Sequence, residues 1–414
     1  SGKLFCNLSK KPVVIVGKDT RVSGSMLENA LQAGLVSAGV DVISAGCIPT
    51  PAIAHLTKSL RLTAGAVISA SHNSFQDNGI KFFDRNGHKL SSNLEKKIES
   101  FLEHKISYTK KNSLGKTTAL KDSVGRYVEF CKSTFSEKLS LDGLHIVIDA
   151  ANGASYQAGD LVFSELGARV SKVGCAPNGK NINENVGTNH PNNISRAVKD
   201  YSADIGIALD GDGDRFIMTD EKGVIYQGDQ LLYSIAKDRV RESGPKNVQG
   251  IVGTLMSNFG LEKAINNLGL EFRRSKVGDR FISEMLRETG WNIGGETSGH
   301  ILCLEYHSTG DGIINSLQVI KTLLNSDSSF REWTKELQLM PQHLINVPIS
   351  DFPNWRENRN FMNLHKKINN DLDGNGRVLI RPSGTEPLLR IMVESDSLKK
   401  SKMYAKELAF ALNG

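Results

Sequence analysis

The chain has 414 residues, too many for one compact core and enough for three or four domains of roughly 100–150 residues each. Hydrophobic content is 39% and charged content 23%, as in a globular protein, and no run reaches the roughly 18 apolar residues that would span a membrane. The net charge of +6 is spread along the chain. A nucleic-acid binder would usually gather it into a basic stripe; a modest, dispersed excess fits an anionic small substrate equally well and by itself decides nothing.

Val13-Val14-Ile15-Val16 reads as a buried strand. It feeds a polar, glycine-containing loop, Gly17 to Gly24, that includes Arg21. A helix follows, with Leu27, Ala30, Leu31, Gly34, Leu35 and Ala38 on one face. Ser25 and Glu28 have capping-box spacing, and Gly39 is placed to end the helix before a strand at Val40, Val42 and Ile43. The same strand–loop–helix opening recurs at Ile146-Val147-Ile148 and at Gly250-Ile251-Val252-Gly253. The pattern predicts three related mixed α/β domains, residues 1–125, 126–225 and 226–340. Residues 341–414 differ. A helix near Phe361–Ile368, a strand at Arg377–Ile380, a strand at Leu388–Glu394 and a helix through Met403, Ala405, Leu408 and Leu412 form a smaller α+β domain. Cys6, Cys47, Cys131, Cys175 and Cys303 are odd in number and make no CxxC pair. That favours buried, reduced thiols and a cytoplasmic setting over a disulfide framework.

Four loops carry chemistry. The first, Ile68-Ser69-Ala70-Ser71-His72-Asn73-Ser74, follows the apolar run Gly65-Ala66-Val67. Sites in open α/β folds gather at the carboxyl ends of strands. There Ser71 is a candidate nucleophile or phosphate carrier and His72 a candidate base or donor, although alone the string reads more readily as a polar turn. The second, Asp210-Gly211-Asp212-Gly213-Asp214-Arg215, spaces three carboxylates by single glycines. Such oxygens converge on a hard cation, and Mg²⁺ suits them. An EF-hand is the competing reading, with Glu221 at its twelfth position, but Arg215 stands where its sixth position needs glycine, and a strand-like run precedes it. The third, Gly294 to His300, offers Glu296 and Ser298 to two adjacent sugar hydroxyls, or is a flexible turn. Lys276-Val277-Gly278-Asp279-Arg280 is either a charged turn or an anion-facing loop in which Lys276 and Arg280 contact substrate. The fourth, Arg381-Pro382-Ser383-Gly384-Thr385-Glu386-Pro387 with Arg390 beyond, has the composition of a phosphate cradle or of a charged hairpin.

As an ordered set, one per domain, these loops resemble the α-D-phosphohexomutase family from Val13 to the C-terminus. The resemblance implies four domains around a central active-site cleft. It implies a phosphoserine at Ser71 and Mg²⁺ on Asp210, Asp212, Asp214 and a phosphoserine oxygen. It implies Lys81 and Arg21 near the moving phosphoryl group, Glu296 and Ser298 on the sugar, and Arg381, Ser383, Gly384, Thr385 and Arg390 on the substrate phosphate. Loops 294–300, 276–280 and 77–83 are most similar to the branch that interconverts glucosamine 6-phosphate and glucosamine 1-phosphate, on the route to UDP-N-acetylglucosamine and peptidoglycan. The implied partner is therefore a hexosamine phosphate, handled by a monomer or homodimer without membrane or nucleic acid. Phosphomannomutase or phosphoglucomutase specificity, a metal-dependent sugar phosphatase and a calcium-binding protein are the alternatives. Two positions depart from the family pattern. Ser74 stands where the family has proline, and a Gly-Thr-Asp-Gly-Ile-Arg-Gly segment, whose arginine is expected to face the reaction centre, does not precede the first helix. A chain without that segment is expected to be impaired.

Overall fold

A computed structural model describes residues 5, 9, 11–101, 113–348, 352, 354–383 and 387–413. Gly384 and Thr385, and Cys6 among the cysteines, lie outside the described residues. Among the described residues the strands form four sheets.

The first sheet contains β1 (Val13–Lys18), β2 (Asp41–Cys47), β3 (Ala64–Ile68), β4 (Ile80–Phe83) and β5 (Thr117–Ala119), in the order β4-β3-β1-β2-β5. The second contains β6 (His145–Asp149), β7 (Arg169–Val173), β8 (Ile205–Leu209), β9 (Phe216–Thr219) and β10 (Ile225–Tyr226), in the order β10-β9-β8-β6-β7. The third contains β11 (Gly250–Thr254), β12 (Glu271–Ser275), β13 (Ile293–Gly295) and β14 (Ile301–Cys303), in the order β12-β11-β13-β14. One plan underlies all three. The first strand is central, the second and third flank it in parallel, and a fourth pairs antiparallel with the third. The central strands are the three β-branched runs that repeat in the sequence, and the interiors of all three are buried. A strand flanked by neighbours and covered on both faces must be apolar throughout. The fourth sheet, β15 (Gln342–Pro348), β16 (Gly376–Pro382) and β17 (Leu388–Ser395) in the order β15-β17-β16, is wholly antiparallel.

This repeated plan positions the chemistry. The Ser71 loop joins β3 to β4, the aspartate loop joins β8 to β9, and the Glu296 loop joins β13 to β14. Each leaves the carboxyl end of the third strand and returns through a hairpin. The segment carrying Arg381 and Ser383 likewise turns β16 into β17.

The helix after β1 spans Gly24–Ser37. Leu27, Leu31 and Leu35 pack inward as their spacing predicts, whereas Ala30 and Gly34 are exposed. Gly39, at φ +86°, follows its last turn. The predicted capping box does not form. Lys18 takes both candidates, donating to Ser25 Oγ at 2.8 Å and Glu28 Oε2 at 2.6 Å, and Glu28 also accepts from Ser44. The part-buried lysine outcompetes a local cap because its bond to the carboxylate is charge-assisted.

One apolar cluster runs from Ile15 to Leu337 through the first three sheets. The C-terminal unit has a separate core of Trp355, Phe361, Ile368, Ile391, Val393, Ala405 and Leu408. Cys47, Cys131, Cys175 and Cys303 are free thiols. Among the described residues no helix is long and apolar enough to cross a membrane.

A buried bond crosses the seam between units. Tyr127 Oη donates to Asp311 Oδ2 at 2.7 Å, while Asp311 Oδ1 caps helix Gly312–Ser326 through the Ile313 and Ile314 amides. The Gly312 amide then reaches the Gly213 carbonyl in the aspartate loop at 2.9 Å. Tyr127→Phe leaves a buried carboxylate oxygen short of a donor and is expected to destabilise the protein by about 1–3 kcal/mol. The shift of the first urea transition measures this, and an unchanged midpoint would contradict it.

Candidate active site

The Ser71 loop is held in an uncommon conformation. Ser71 sits at φ +51°, a region that costs an ordinary residue energy and persists only where surroundings impose it. Here they do. The Ser71 amide donates to Ser69 Oγ at 2.9 Å, and the Ser71 carbonyl accepts from Arg21 Nη2 and from Asn183 Nδ2, both at 2.9 Å. Arg21 also donates to the carbonyls of Asn73, Asp77 and Ser74, and through Nε to Asp19. Asp19 in turn accepts from Ser69 Oγ at 2.6 Å. The sequence reading put Arg21 near the moving phosphoryl group; in the structure its guanidinium meets the Ser71 loop through backbone carbonyls, which it holds in shape.

The result is a short contact between two domains. Ser71 Oγ donates to Asp210 Oδ2 at 2.6 Å. This approach needs Gly211, where an added Cβ would lie 2.6 Å from the Ser71 carbonyl oxygen and 2.8 Å from Asn183 Nδ2. Gly213, at φ +76°, supplies the second bend.

Asp210, Asp212 and Asp214 are buried, and one oxygen from each lies within 4.8 Å of the others. Burial first, then the charges of Asp214 and Asp212, push the Asp210 carboxyl up to about 8. Burial acts the same way on Asp214, but Lys81 and His300 outweigh it and hold that group well below its ordinary value. Lys81 Nζ lies 2.6 Å from Asp212 Oδ2 and 3.6 Å from Asp214 Oδ2. Desolvation works against its charge, yet these carboxylates overcome it and keep the ammonium firmly protonated. One lysine does not neutralise three carboxylates. Asp212 Oδ1 is also buried without a hydrogen-bond partner, which is the signature of a group awaiting one. An all-oxygen, anionic, water-shielded donor set of this kind fits a hard divalent cation.

Ser71, His72, Lys81, Asp214, Glu296 and Ser298 line one cavity of about 480 Å³. The sequence-predicted residues from three loops thus meet. His72 is held neutral, its basicity lowered by burial and then by Arg215, and its Nδ1 is buried without a partner. Glu296 Oε1 accepts the Gly278 amide at 2.9 Å, which ties the 276–280 loop to the 294–300 loop.

Other predicted residues stand elsewhere. Arg280 pairs with Glu95 at 2.9 Å and Glu284 at 3.2 Å and lines a neighbouring cavity of about 300 Å³. Lys276 is exposed, its Nζ 5.6 Å from the Phe281 ring centre. Asp279 faces the cavity in their place. It opens helix Asp279–Thr289, where consecutive side chains point about 100° apart; Asp279 lines both cavities, and Arg280 lines the smaller one. Arg381 and Arg390 face each other across the β16–β17 ladder, outside the cavity lining. Burial and then the Arg390 charge weaken the Arg381 guanidinium's hold on its proton. Like charges directly opposite in a ladder are unfavourable unless an anion bridges them. Ser383 closes that hairpin through its amide to the Leu388 carbonyl at 2.7 Å.

Several site residues had no role in the sequence reading. His300 lies 3.4 Å from Asp214 Oδ1 and 3.6 Å from Asp279 Oδ2, and Lys89 pairs with Asp279. Burial opposes the His300 charge, but Asp214 and Asp279 prevail and raise its basicity. His300 was visible as the end of its loop motif, and Asn183 only as part of an asparagine-rich turn.

Three α/β layers that deliver a serine, an acidic triad and a glutamate loop to one cleft, with a fourth unit carrying paired arginines, define an enzyme of the phosphohexomutase class. The chain belongs to the phosphoglucomutase/phosphomannomutase family. Its models match as alpha/beta/alpha domain I over residues 2–109, domain II over 125–223, domain III over 227–340 and the C-terminal domain over 344–410. Phosphoglucosamine mutase of Bordetella avium is 50% identical over 402 residues, covering 97% of this chain and 89% of that protein. The protein of the same name from Azoarcus sp. is 52% identical over 408 residues, covering 97% and 90%, and that from Leptothrix cholodnii is 50% identical over 410 residues, covering 99% and 92%. A phosphoglucomutase/phosphomannomutase family protein of Burkholderia thailandensis shares the fold, with a TM-score of 0.80 at 23% identity, over 97% of this chain and 90% of that one.

Because the raised Asp210 carboxyl keeps part of its proton near neutrality, cation binding is expected to displace it. Calorimetric titration with Mn²⁺ at pH 7, in buffers of different ionisation heat, should show proton release that diminishes by pH 9. Binding with no buffer dependence at pH 7 would contradict this.

Proposed function

We propose that the chain interconverts glucosamine 6-phosphate and glucosamine 1-phosphate through a phosphoserine at Ser71. The observation that carries the reading is the 2.6 Å contact between Ser71 Oγ and Asp210 within the buried triad. The names of relatives at about half identity over nearly the whole chain supply the sugar.

Asp210, Asp212 and Asp214 would hold one Mg²⁺, together with an oxygen of the phosphorylated serine; bound there, the ion offsets phosphoryl charge. Phosphoryl transfer rests mainly on positioning and on neutralising the equatorial oxygens. Lys81 contributes a fixed positive charge at the triad's edge. Arg21 and Asn183 act through the backbone, keeping Ser71 Oγ aimed at the cleft. His72, neutral and beside Ser71, is suited to exchange a proton with the attacking sugar hydroxyl. Phosphoserine Ser71 transfers its phosphate to the free hydroxyl. The resulting bisphosphorylated sugar reorients, and Ser71 takes the other phosphate back. Glu296 and Ser298 would grip the sugar hydroxyls. Arg381, Ser383 and Arg390, with Gly384 and Thr385, would hold whichever phosphate is not reacting. The separate core of the C-terminal unit supports closure of that unit over the sugar, which would keep water from the phosphoserine. The reading assigns Lys276 and Arg280 no direct substrate contact in the arrangement seen. The work is that of a cytoplasmic precursor pathway.

Ser71→Ala should leave the fold intact and reduce mutase turnover by at least about 10⁴-fold, because removing a covalent carrier removes the route; turnover within tenfold of wild type would exclude Ser71. Arg390→Ala should raise KM for glucosamine 6-phosphate by roughly ten- to hundredfold, on the scale of a lost charged hydrogen bond. An unchanged KM would remove Arg390 from the phosphate site.

A further inference from the structure

Thr50 takes no part in the chemistry outlined above, yet it makes a double contact with the centre of the triad. It opens helix Thr50–Ser59 and is fully buried. Its amide donates to the Asp212 carbonyl at 2.9 Å, and its Oγ1 donates to Asp212 Oδ2 at 2.5 Å. The same carboxylate oxygen accepts Lys81 Nζ at 2.6 Å. Asp212 Oδ2 therefore carries two donors. Asp212 Oδ1 is equally buried and has none.

We infer that Thr50 is a positioning residue that turns the Asp212 carboxylate so that Oδ1, and not Oδ2, is presented to the cation. The inference rests on the metal reading of the triad proposed above and deepens it. A carboxylate can rotate about its last bond and exchange its two oxygens. Lys81 alone does not prevent this, because it sits on a flexible stem, is partly exposed and also faces Asp214. Thr50 differs in kind. Its hydroxyl is β-branched and stiff, and its backbone is fixed by the helix it opens. It grips both the main chain and the side chain of one residue, so the Asp212 torsion is set from two ends. Groups that orient a metal-binding carboxylate in this way commonly alter affinity by ten- to a hundredfold when removed. Thr50 also belongs to the Ser71 unit whereas Asp212 belongs to the next. The bond thus joins assembly of the cation site to the docking of the two loops that must react.

The test separates the hydroxyl from the shape of the side chain. Thr50→Val keeps the volume and the amide but loses the donor; Thr50→Ser keeps the donor but loses a methyl group. Mn²⁺ alone is titrated into each full-length variant and followed by the electron paramagnetic resonance of the free ion. Thr50→Val is expected to raise the Mn²⁺ Kd about tenfold and Thr50→Ser less than about threefold. At saturating Mg²⁺ the KM for glucosamine 6-phosphate should stay within about twofold of wild type in both variants. The opposite order, with serine weak and valine normal, would assign Thr50 a packing role and overturn the inference. Should Thr50→Val fail to fold, a tenfold weakening in a well-folded Thr50→Ser overturns it equally, and wild-type-like binding there upholds it. If the wild-type protein takes up no Mn²⁺, the metal reading falls and Thr50's role falls with it. If the wild type binds and Thr50→Val binds as well, Thr50's role alone is lost.

Discussion

Three carboxylates confined within 4.8 Å and withdrawn from water are the constraint around which the molecule is arranged. Two unit charges 4 Å apart repel by about 4 kcal/mol at an effective dielectric constant of 20, and full ionisation would set three carboxylate pairs against one another, so burial and that repulsion together raise the Asp210 carboxyl. The protein answers with Lys81 from one unit and His300 from another; burial opposes both charges, but the acids they face raise the basicity of each. These do not saturate the cluster, since an oxygen of Asp212 stays without a donor. The shortage that makes the site costly is also what makes it a cation trap. The cost is sustained because the loops are clamped from every side. The Asp212 carbonyl is held by Thr50, the Gly213 carbonyl by the first amide of helix Gly312–Ser326, and the Ser71 carbonyl by Arg21 and Asn183.

Topology explains how one cleft collects so many groups. Three sheets with the same strand plan each extend a hairpin loop from the end of the third strand. When the three units pack on a shared apolar core, those equivalent loops converge. Each unit then contributes a different group at an equivalent address: the serine proposed as phosphate carrier, the acidic triad and the glutamate proposed to hold sugar hydroxyls. The fourth unit also uses a hairpin, but on an antiparallel sheet with its own core. A separately packed unit moves more readily than one sharing a core, which suits the part of the enzyme proposed to hold either end of a sugar that must turn around.

Much of this was legible in the sequence. The β-branched runs at residues 13, 146 and 250 marked the central strands because strands covered on both faces tolerate little else. The glycine-spaced aspartates announced themselves because clustered charge is a local signal, whereas the Ser71 and Glu296 loops, each readable alone as a turn, stood out as members of an ordered set. What escaped was non-local. Nothing around Arg21 reveals that its guanidinium will be saturated by carbonyls some fifty residues on. Nor does the 276–280 string reveal that Arg280 pairs with Glu95 while Asp279 lines the cleft. The Ser25–Glu28 cap failed for a related reason: Lys18, on the neighbouring strand, offers a stronger partner than the helix's own amides. Asn183 and Thr50 are unremarkable in sequence and matter only for what they touch.

The central claim is that phosphorus passes through a single hydroxyl at the mouth of the triad. It is tested most directly by incubating the enzyme with a ³²P-labelled hexosamine bisphosphate and Mg²⁺, quenching within one turnover, and mapping protein-bound label by peptide mass analysis. The account predicts stable label on the peptide containing Ser71, chased off by unlabelled glucosamine 6-phosphate at a rate no slower than kcat. Turnover that proceeds while the protein stays unlabelled, or label carried on another residue, would contradict it.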